Sequence, residues 1–237
     1  MGHILSLRNV SKRFGGLRAS DGIDLALNAG ELRCIIGPNG AGKSTLFKLI
    51  MGQLAVSSGE IFFREENITA LPMWRRARRG LSIKMQVPGI YPDLSARENL
   101  RIAAQLHVSR AALPEVIERW LTRIGLLDAG ETPARFLSHG QQQWLEIGMA
   151  LSAEPALLLL DEPTAGMGPE ETRATGELVK SINADGTTVL VIEHDMEFVR
   201  QVAQRVTVLH YGRVFAEGSV AEIEQHEDVM RIYLGAV

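Results

Sequence analysis

The residues with the most specific chemistry lie between Gly37 and Thr45, where the sequence reads GPNGAGKST. This segment fits the pattern G-x-x-x-x-G-K-[ST] and separates a strand-like from a helix-like segment, as that pattern requires. We expect the backbone N–H groups of the loop to surround phosphate oxygens, with Lys43 bridging the β- and γ-phosphates and Ser44 binding Mg²⁺. The residues assigned to nucleotide binding are Gly37, Pro38, Asn39, Gly40, Ala41, Gly42, Lys43, Ser44 and Thr45. A glycine-rich turn that only caps a helix is the alternative.

Two adjacent carboxylates end an apolar segment further along the chain, LLLLDEP. Strands of a parallel sheet end at one shared edge, where such folds bind their ligands. We expect Asp161 to hold Mg²⁺, directly or through water, and Glu162 to polarise the attacking water as a general base. Read alone, the segment equally fits a strand that stops at Pro163 in a solvated turn.

Three single residues are further candidates. His194 follows the apolar run VLVIE and is expected at the same edge, hydrogen-bonded to the γ-phosphate and orienting the water, although a structural histidine is the alternative. Gln86 ends LSIKMQ, where its amide would contact Mg²⁺ and the attacking water, unless it is an exposed loop residue. Phe14, in VSKRFGG, either stacks on an adenine ring or is a core aromatic of the first sheet.

The segment LSHGQQQ, which starts at Leu137, leads into the helix-like run WLEIGMAL. At such a helix start, Ser138 and the N–H groups near Gly140 are expected to form an anion-binding end. The segment belongs to a helix-rich block, away from the strand edge that holds Lys43. We therefore expect it to contact the γ-phosphate of a nucleotide bound to a second protomer, which predicts a dimer.

The hydrophobic pattern predicts the elements that position these residues. Alternating apolar residues in HILSLRNV and IDLALNAG predict strands near the N-terminus. The strand-like segments ELRCIIG, ALLLLD and TTVLVIE alternate with helical ones, which is typical of a parallel sheet. Between them, residues 88–153 have helical spacing and include the capping-box pair Ser95 and Glu98. We predict one domain over 1–237, with a core of 1–87 and 154–237 and an inserted helical subdomain at 88–153.

Composition excludes several other classes of protein. The net charge of the 237 residues is −3, which argues against a general nucleic-acid binder. The only cysteine, Cys34, cannot form an internal disulfide, which favours a reducing compartment, and its apolar neighbours predict a small buried side chain. No apolar run reaches the ~18 residues that a membrane span needs. The basic run MWRRARRG, with Arg75, Arg76, Arg78 and Arg79, is interpreted as a solvated helix face.

Taken together, these motifs resemble the ATP-binding subunit of ABC transporters, in the order of that family and over almost the whole chain. The resemblance implies a phosphate-loop ATPase core with a mixed, mainly parallel sheet, an N-terminal antiparallel β-subdomain and an inserted helical subdomain. It also implies ATP and Mg²⁺ as ligands and an ATP sandwich between two subunits. In that family the matching positions are the phosphate loop at 37–45, the Q-loop residue Gln86, the signature Leu137–Gln141 including Ser138, Gly140 and Gln141, the Walker B acids Asp161 and Glu162, and the switch histidine His194.

Finer details resemble the branch that takes up branched-chain amino acids, amides and urea, and the urea-type subunit most of all. The segments are LSHGQQQWLEIGMAL, DEPTAGM and VIEHDMEFV. This branch implies two membrane permeases, a periplasmic solute-binding protein and a peripheral position on the cytoplasmic face of a bacterial-type inner membrane. Two residues depart from the usual family pattern: His139 replaces the first glycine of the signature, and Gly168 replaces an aspartate, which predicts weaker contact across the dimer.

A non-transport ATPase of the same fold, acting on ribosomes or DNA, is the alternative function. Such proteins resemble this chain in their motifs but carry tandem ATPase domains or long coiled-coil insertions. The sequence has one phosphate loop and no heptad run. These features favour the transport subunit.

Overall fold

Two β-sheets, with helices packed around the second, make up the part of the chain that the computed structural model describes, residues 2–85 and 89–234. The elements of the first half are β1 His3–Phe14, β2 Leu17–Asn28, β3 Leu32–Ile36, α1 Lys43–Met51, β4 Ser58–Phe63, β5 Glu66–Asn67, α2 Met73–Arg78, β6 Leu81–Lys84, α3 Ala96–Ala104 and α4 Leu113–Arg123. Those of the second half are a 3₁₀ turn Ala134–Phe136, α5 His139–Leu151, β7 Leu157–Asp161, α6 Pro169–Ala184, β8 Thr188–Ile192, α7 Met196–Val202, β9 Arg205–His210, β10 Arg213–Gly218, α8 Val220–Gln225 and α9 Glu227–Leu234.

The sheet order brings three strand ends to one edge. The first sheet is antiparallel, in the order β2-β1-β4-β5, and the second has the order β10-β9-β3-β8-β7-β6. In the second sheet only β10 runs antiparallel to its neighbour, and Ile192 of β8 pairs with both Ile35 and Asp161. The carboxyl ends of β3, β8 and β7 therefore lie side by side. This architecture confirms the predicted fold class.

The central strands are mostly apolar because both faces of the second sheet are covered. On β7, Leu157 and Leu159 face the core shared with the antiparallel sheet and α1. Leu158 and Leu160 face the opposite core, which includes side chains of α3, α4 and α5. The helices between β6 and β7 thus share a core with the sheet.

Local signals determine where these helices begin and end. Ser95 accepts a hydrogen bond from the N–H of Glu98 and returns one to its side chain, which confirms the predicted capping box of α3. The helical pattern of α4 continues to Leu127, but the helix ends at Arg123. Gly125 takes a left-handed conformation with φ of +69°, which terminates the helix.

The basic run of α2 contradicts part of the prediction made for it. Arg75 and Arg78 are exposed, as a solvated helix face requires, but Arg76 is only 1% exposed. Its guanidinium donates hydrogen bonds to four backbone carbonyl oxygens, those of Leu49, Ile50, Thr69 and Leu71. Burial lowers the pKa of Arg76 to about 10, so the side chain stays charged at neutral pH. The solvated-face prediction is wrong for Arg76, because this side chain caps the negative C-terminal end of α1.

Two expectations from composition can be compared with the fold. Cys34 is fully buried in β3, as predicted, and its burial raises the pKa of the thiol. Among the described residues, no helix combines the length and the apolar character that a membrane crossing requires.

Candidate functional site

The phosphate-binding loop joins β3 to α1 and depends on glycine at two tight positions. Gly37 has a φ of +153°, and a Cβ there would lie 2.2 Å from the carbonyl oxygen of Leu209. Gly42 has a φ of +101°, and its Cβ would lie 2.3 Å from the carbonyl oxygen of Ala19. Neither position has space for a side chain. The main chain of the loop therefore lies close to the neighbouring strands. The N-terminus of α1, which follows the loop, faces outward.

The N-terminus of α1 is left open for an anion. Its N-cap residue, Gly42, has no side chain with which to satisfy the first N–H groups of the helix. The ammonium group of Lys43 folds back on the loop and donates to the carbonyl oxygens of Gly37 at 2.7 Å and Pro38 at 3.2 Å. Burial lowers the pKa of Lys43, while Glu162 and Asp161 oppose that shift. A helix dipole and a lysine thus converge on one point, as phosphate binding requires.

A cavity of about 400 Å³ lies over this loop. Its lining is formed by the hairpin residues Phe14, Leu17, Arg18 and Ala19, by Asn39–Thr45 and by Glu162. Phe14 is 45% exposed at the cavity, so it is not a core aromatic of the first sheet. Stacking on an adenine ring stays a prediction for Phe14, and its position fits that role. The sequence did not indicate Arg18, which reaches the cavity because β2 follows Phe14 after a tight turn.

The predicted Mg²⁺ ligands meet at the end of β7. The Ser44 hydroxyl donates to Oδ1 of Asp161 at 3.5 Å. Burial raises the pKa of Asp161, and the hydrogen bond from Ser44 partly offsets this shift. Hydroxyl and carboxylate oxygens suit Mg²⁺, which keeps several waters and shares its remaining positions with substrate phosphates. Residues 2–85 and 89–234 contain no cluster of three or more His, Cys, Asp or Glu side chains that could hold a metal ion. Gln86, the third predicted ligand, lies outside the described residues.

Glu162 lies beside Asp161 in a strained backbone conformation. Its φ is +48°, in the left-handed region, which a non-glycine residue occupies at a cost of about 1–2 kcal/mol. The N–H of Glu162 donates to the carbonyl oxygen of Ile192 at 3.0 Å, which ties the turn to β8. Nδ1 of His194 lies 3.9 Å from Oε1 of Glu162. The structure therefore brings two of the three predicted catalytic side chains to one edge, with Glu162 in a strained turn of the kind found at functional sites.

Two buried charged residues next to the predicted motifs were missed by sequence reasoning. Glu193 is fully buried and accepts hydrogen bonds from the N–H of Thr164 at 3.0 Å, its hydroxyl at 2.6 Å and the N–H of His194 at 3.0 Å. Lys84 is 2% exposed and donates to the carbonyl oxygens of Asp161 and Glu162, both at 3.4 Å. The available signal was a charged residue at the end of an apolar strand, within two positions of a motif residue.

The signature segment begins α5 as predicted but satisfies part of its own helix end. Ser138 is the N-cap: its hydroxyl accepts from the N–H of Gln141 at 3.2 Å, and the side chain of Gln141 accepts from the N–H of Ser138 at 2.9 Å. Nε2 of His139 lies 2.8 Å from the carbonyl oxygen of Ala165, in the turn after Glu162. Of Ser138, Gly140 and Gln141, none lines the cavity over the phosphate loop. The described part of the chain thus does not bring them together with Lys43.

Residues 20–165, which include the phosphate loop, the signature segment and both carboxylates, match the model of the ABC transporter family. The chain is 35% identical over 249 residues to the high-affinity branched-chain amino acid transport ATP-binding protein LivG of Escherichia coli (strain K12), with 98% of each chain covered. It is 33% identical to the protein BraF of Pseudomonas aeruginosa, which has the same description, again with 98% of each covered.

Solved structures with the same fold also cover most of the chain. The ADP conformation of an ATP-binding cassette from an ABC transporter has a TM-score of 0.90 and 30% identity, covering 99% of this chain and 100% of that one. A dimeric ATP-binding cassette in a post-hydrolysis state, bound to ADP and phosphate, has a TM-score of 0.82 and 26% identity, covering 91% and 98%.

Proposed function

The chain belongs to the ABC transporter family as an ATP-binding, ATP-hydrolysing subunit, and we propose that it drives solute uptake through membrane permeases. One observation carries the proposed site: Ser44 and Asp161 face each other at 3.5 Å beside the open N-terminus of α1, and Glu162 and His194 lie at the same edge. The proposed phosphate-binding, metal-binding and water-activating groups thus lie along one edge of the sheet.

The residues divide the work of hydrolysis between them. Lys43 and the N–H groups of α1 hold the β- and γ-phosphates. Ser44 and Asp161, together with Gln86, would hold Mg²⁺, which neutralises negative charge on the phosphates. Glu162 accepts a proton from the attacking water, and His194 orients that water against the γ-phosphate. Phe14 stacks on the adenine ring.

A second ATP-binding subunit completes the site. Ser138, Gly140 and Gln141 contact the γ-phosphate bound to the partner subunit, so that two nucleotides are enclosed between two chains. The cavity over the phosphate loop supports this division, since its lining includes the loop but not the signature residues. Within each chain, 1–87 and 154–237 act as the catalytic core, and 88–153 act as the helical subdomain.

The proposed solutes are small molecules of the branched-chain amino acid, amide or urea group. The descriptions of LivG and BraF support branched-chain amino acids, whereas the segment LSHGQQQWLEIGMAL resembles the urea-type branch. In either case a periplasmic binding protein would select the solute, and this subunit would act on the permeases from the cytoplasmic face of the inner membrane.

The decisive test combines hydrolysis with the location of the protein. The wild-type chain should hydrolyse ATP and co-purify from membranes with permeases encoded beside it. Glu162→Gln should still bind ATP, should accumulate as a dimer and should lose turnover by at least about 100-fold, since removing a general base costs about 10²–10⁴-fold. Glu170→Gln, an exposed carboxylate at the start of α6, is the matched control and should keep wild-type turnover.

Two outcomes would contradict the proposal. Turnover of Glu162→Gln near the wild-type rate would remove Glu162 from the role of general base. Co-purification with ribosomes or DNA instead of permeases would favour the non-transport alternative. The solute class is tested by uptake of labelled leucine and labelled urea in cells with and without the subunit, and no change for either solute would refute the proposed group.

A further inference from the structure

Lys84 is a buried cation that contacts two consecutive backbone carbonyls, those of Asp161 and Glu162. It is the last residue of β6 and is 2% exposed. Its ammonium group lies 3.4 Å from the carbonyl oxygen of Asp161 and 3.4 Å from that of Glu162. These two carbonyls orient the turn in which Glu162 takes its left-handed conformation. The lysine thus contacts the backbone that aims the proposed general base, without lining the cavity in which the nucleotide would bind.

Glu146 brings an opposite charge to the same place from α5, the helix that begins with the signature segment. It is 6% exposed, and one carboxylate oxygen accepts a hydrogen bond from the N–H of Gly89. The other oxygen, Oε2, is buried and has no hydrogen-bond partner among the described residues. Among the charged groups, Glu146 has the largest effect on the pKa of Lys84. Lys84 in turn has the largest effect on the pKa of Glu146.

Burial of either charged group is unfavourable, and the attraction between the two groups partly offsets this cost for both. Burial lowers the pKa of Lys84 and raises the pKa of Glu146, while their mutual attraction opposes both shifts. The two side chains line one cavity of about 270 Å³ between β6 and α5, together with Met85 and Gly89. A buried carboxylate oxygen without a partner is unfavourable, so a cation that can approach it is a natural partner.

We propose that Lys84 and Glu146 form a positioning pair through which α5 controls the backbone around Glu162. Lys84 holds the carbonyl oxygens of Asp161 and Glu162 and so keeps the carboxylate of Glu162 aimed at the water. The negative charge of Glu146 stabilises the buried ammonium group in this position, and a movement of α5 that carries Glu146 away removes that stabilisation and releases the turn. The position of the helical block is thereby transmitted to the catalytic edge inside one chain. This inference rests on the proposed role of Glu162 in hydrolysis.

The test uses near-isosteric substitutions in the full-length protein. Lys84→Met removes the charge and the donor but keeps the length of the side chain, and it should lower kcat for ATP hydrolysis about tenfold or more. The KM for ATP should stay within about threefold, because a small misplacement of a catalytic group slows the chemical step while the nucleotide contacts remain. Lys84→Arg keeps a cationic donor and should recover part of the loss.

Glu146→Gln keeps an acceptor for Gly89 and removes only the charge, so kcat should fall by about twofold to fivefold. Because Glu146 acts through Lys84, the double variant Lys84→Met/Glu146→Gln should be no slower than Lys84→Met alone. Lys48→Met is the matched control: Lys48 is exposed on α1, its charge also acts on Asp161, and its loss should leave kcat within about twofold of wild type. Thermal unfolding of each variant separates catalytic effects from folding.

The possible results separate this inference from the function on which it rests. A wild-type kcat for a folded Lys84→Met, or fully multiplicative losses in the double variant, would overturn the positioning pair. If Lys84→Met does not fold, Glu146→Gln with a wild-type kcat has the same consequence. Wild-type turnover by Glu162→Gln would instead overturn the proposed hydrolytic site itself, whatever the Lys84 variants do.

Discussion

The helices α1 and α5 begin in opposite ways, although both N-termini are proposed to face phosphate. At α1 the N-cap is Gly42, which provides no side-chain cap, and Lys43 folds over the loop. At α5 the N-cap is Ser138, which forms a reciprocal capping box with Gln141. The first N–H groups of α1 therefore have no side-chain cap. The N-terminus of α5 satisfies part of its own hydrogen-bonding need.

This difference supports different roles for the two proposed anion-binding helix ends. The open end of α1 lies in a cavity with Glu162, so it is ready to bind a nucleotide without a partner. The capped end of α5 lies outside that cavity and gains a phosphate only if a second chain presents one. We infer that each subunit provides two parts of a shared site: the open end of α1, which binds the subunit's own nucleotide, and the capped end of α5, which contacts the nucleotide of the partner. The following predictions test that division.

The largest effect is expected at the open end. Lys43→Met should weaken ATP binding by at least about 100-fold, which is about 2.7 kcal/mol, since it removes the cation over the β- and γ-phosphates. Binding of a fluorescent ATP analogue to the isolated subunit measures this loss. Lys48→Met, on the same helix but exposed, should bind like wild type. Equal affinity for Lys43→Met and wild type would show that nucleotide binding does not depend on the open end of α1.

The opposite end of α1 should matter for stability rather than for binding. Arg76→Met removes the guanidinium that bonds four carbonyl oxygens and should lower the free energy of unfolding by about 2 kcal/mol, because buried carbonyls lose their partners. Urea denaturation measures the change, and Arg78→Met is the exposed control on the same helix. If both variants are equally stable, the buried cap contributes nothing measurable.

The capped end should matter for turnover but not for binding by the isolated subunit. Ser138→Ala should lower kcat about tenfold, whereas ATP binding to a single subunit should be unchanged because Ser138 does not line its own cavity. The matched control is Ser219→Ala, since Ser219 forms the same capping box with Glu222 at α8 and is also exposed. Both variants should lose about 1 kcal/mol of stability, and only the first should lose activity. A weaker nucleotide affinity for Ser138→Ala in the monomer would contradict the shared site.

The same comparison shows what sequence patterns can and cannot predict. The strand-loop-helix around Gly37 and the helix start at Ser138 were predicted because their signals are local: glycine positions, apolar periodicity and cap residues. The burial of Arg76 was not, because its partners at Leu49 and Ile50 lie in another helix and are backbone atoms with no sequence signal. Lys84 was missed for a related reason, since a lysine in a strand has the same pattern whether its tip reaches solvent or a buried turn. In both cases burial depends on contacts between elements that are far apart in the sequence.

The smallest effect is expected where the two regions touch. The hydrogen bond between His139 and the carbonyl oxygen of Ala165 joins the start of α5 to the turn after Glu162. A single exposed bond of this kind contributes about 1 kcal/mol, and alanine recovers part of that through its helix propensity. His139→Ala should therefore change kcat by less than about threefold and leave the KM for ATP unchanged, with His107→Ala as the exposed control. A loss of more than tenfold in kcat at constant KM would mean that the two half-sites are coupled within one subunit at this bond, and not only across the pair of chains.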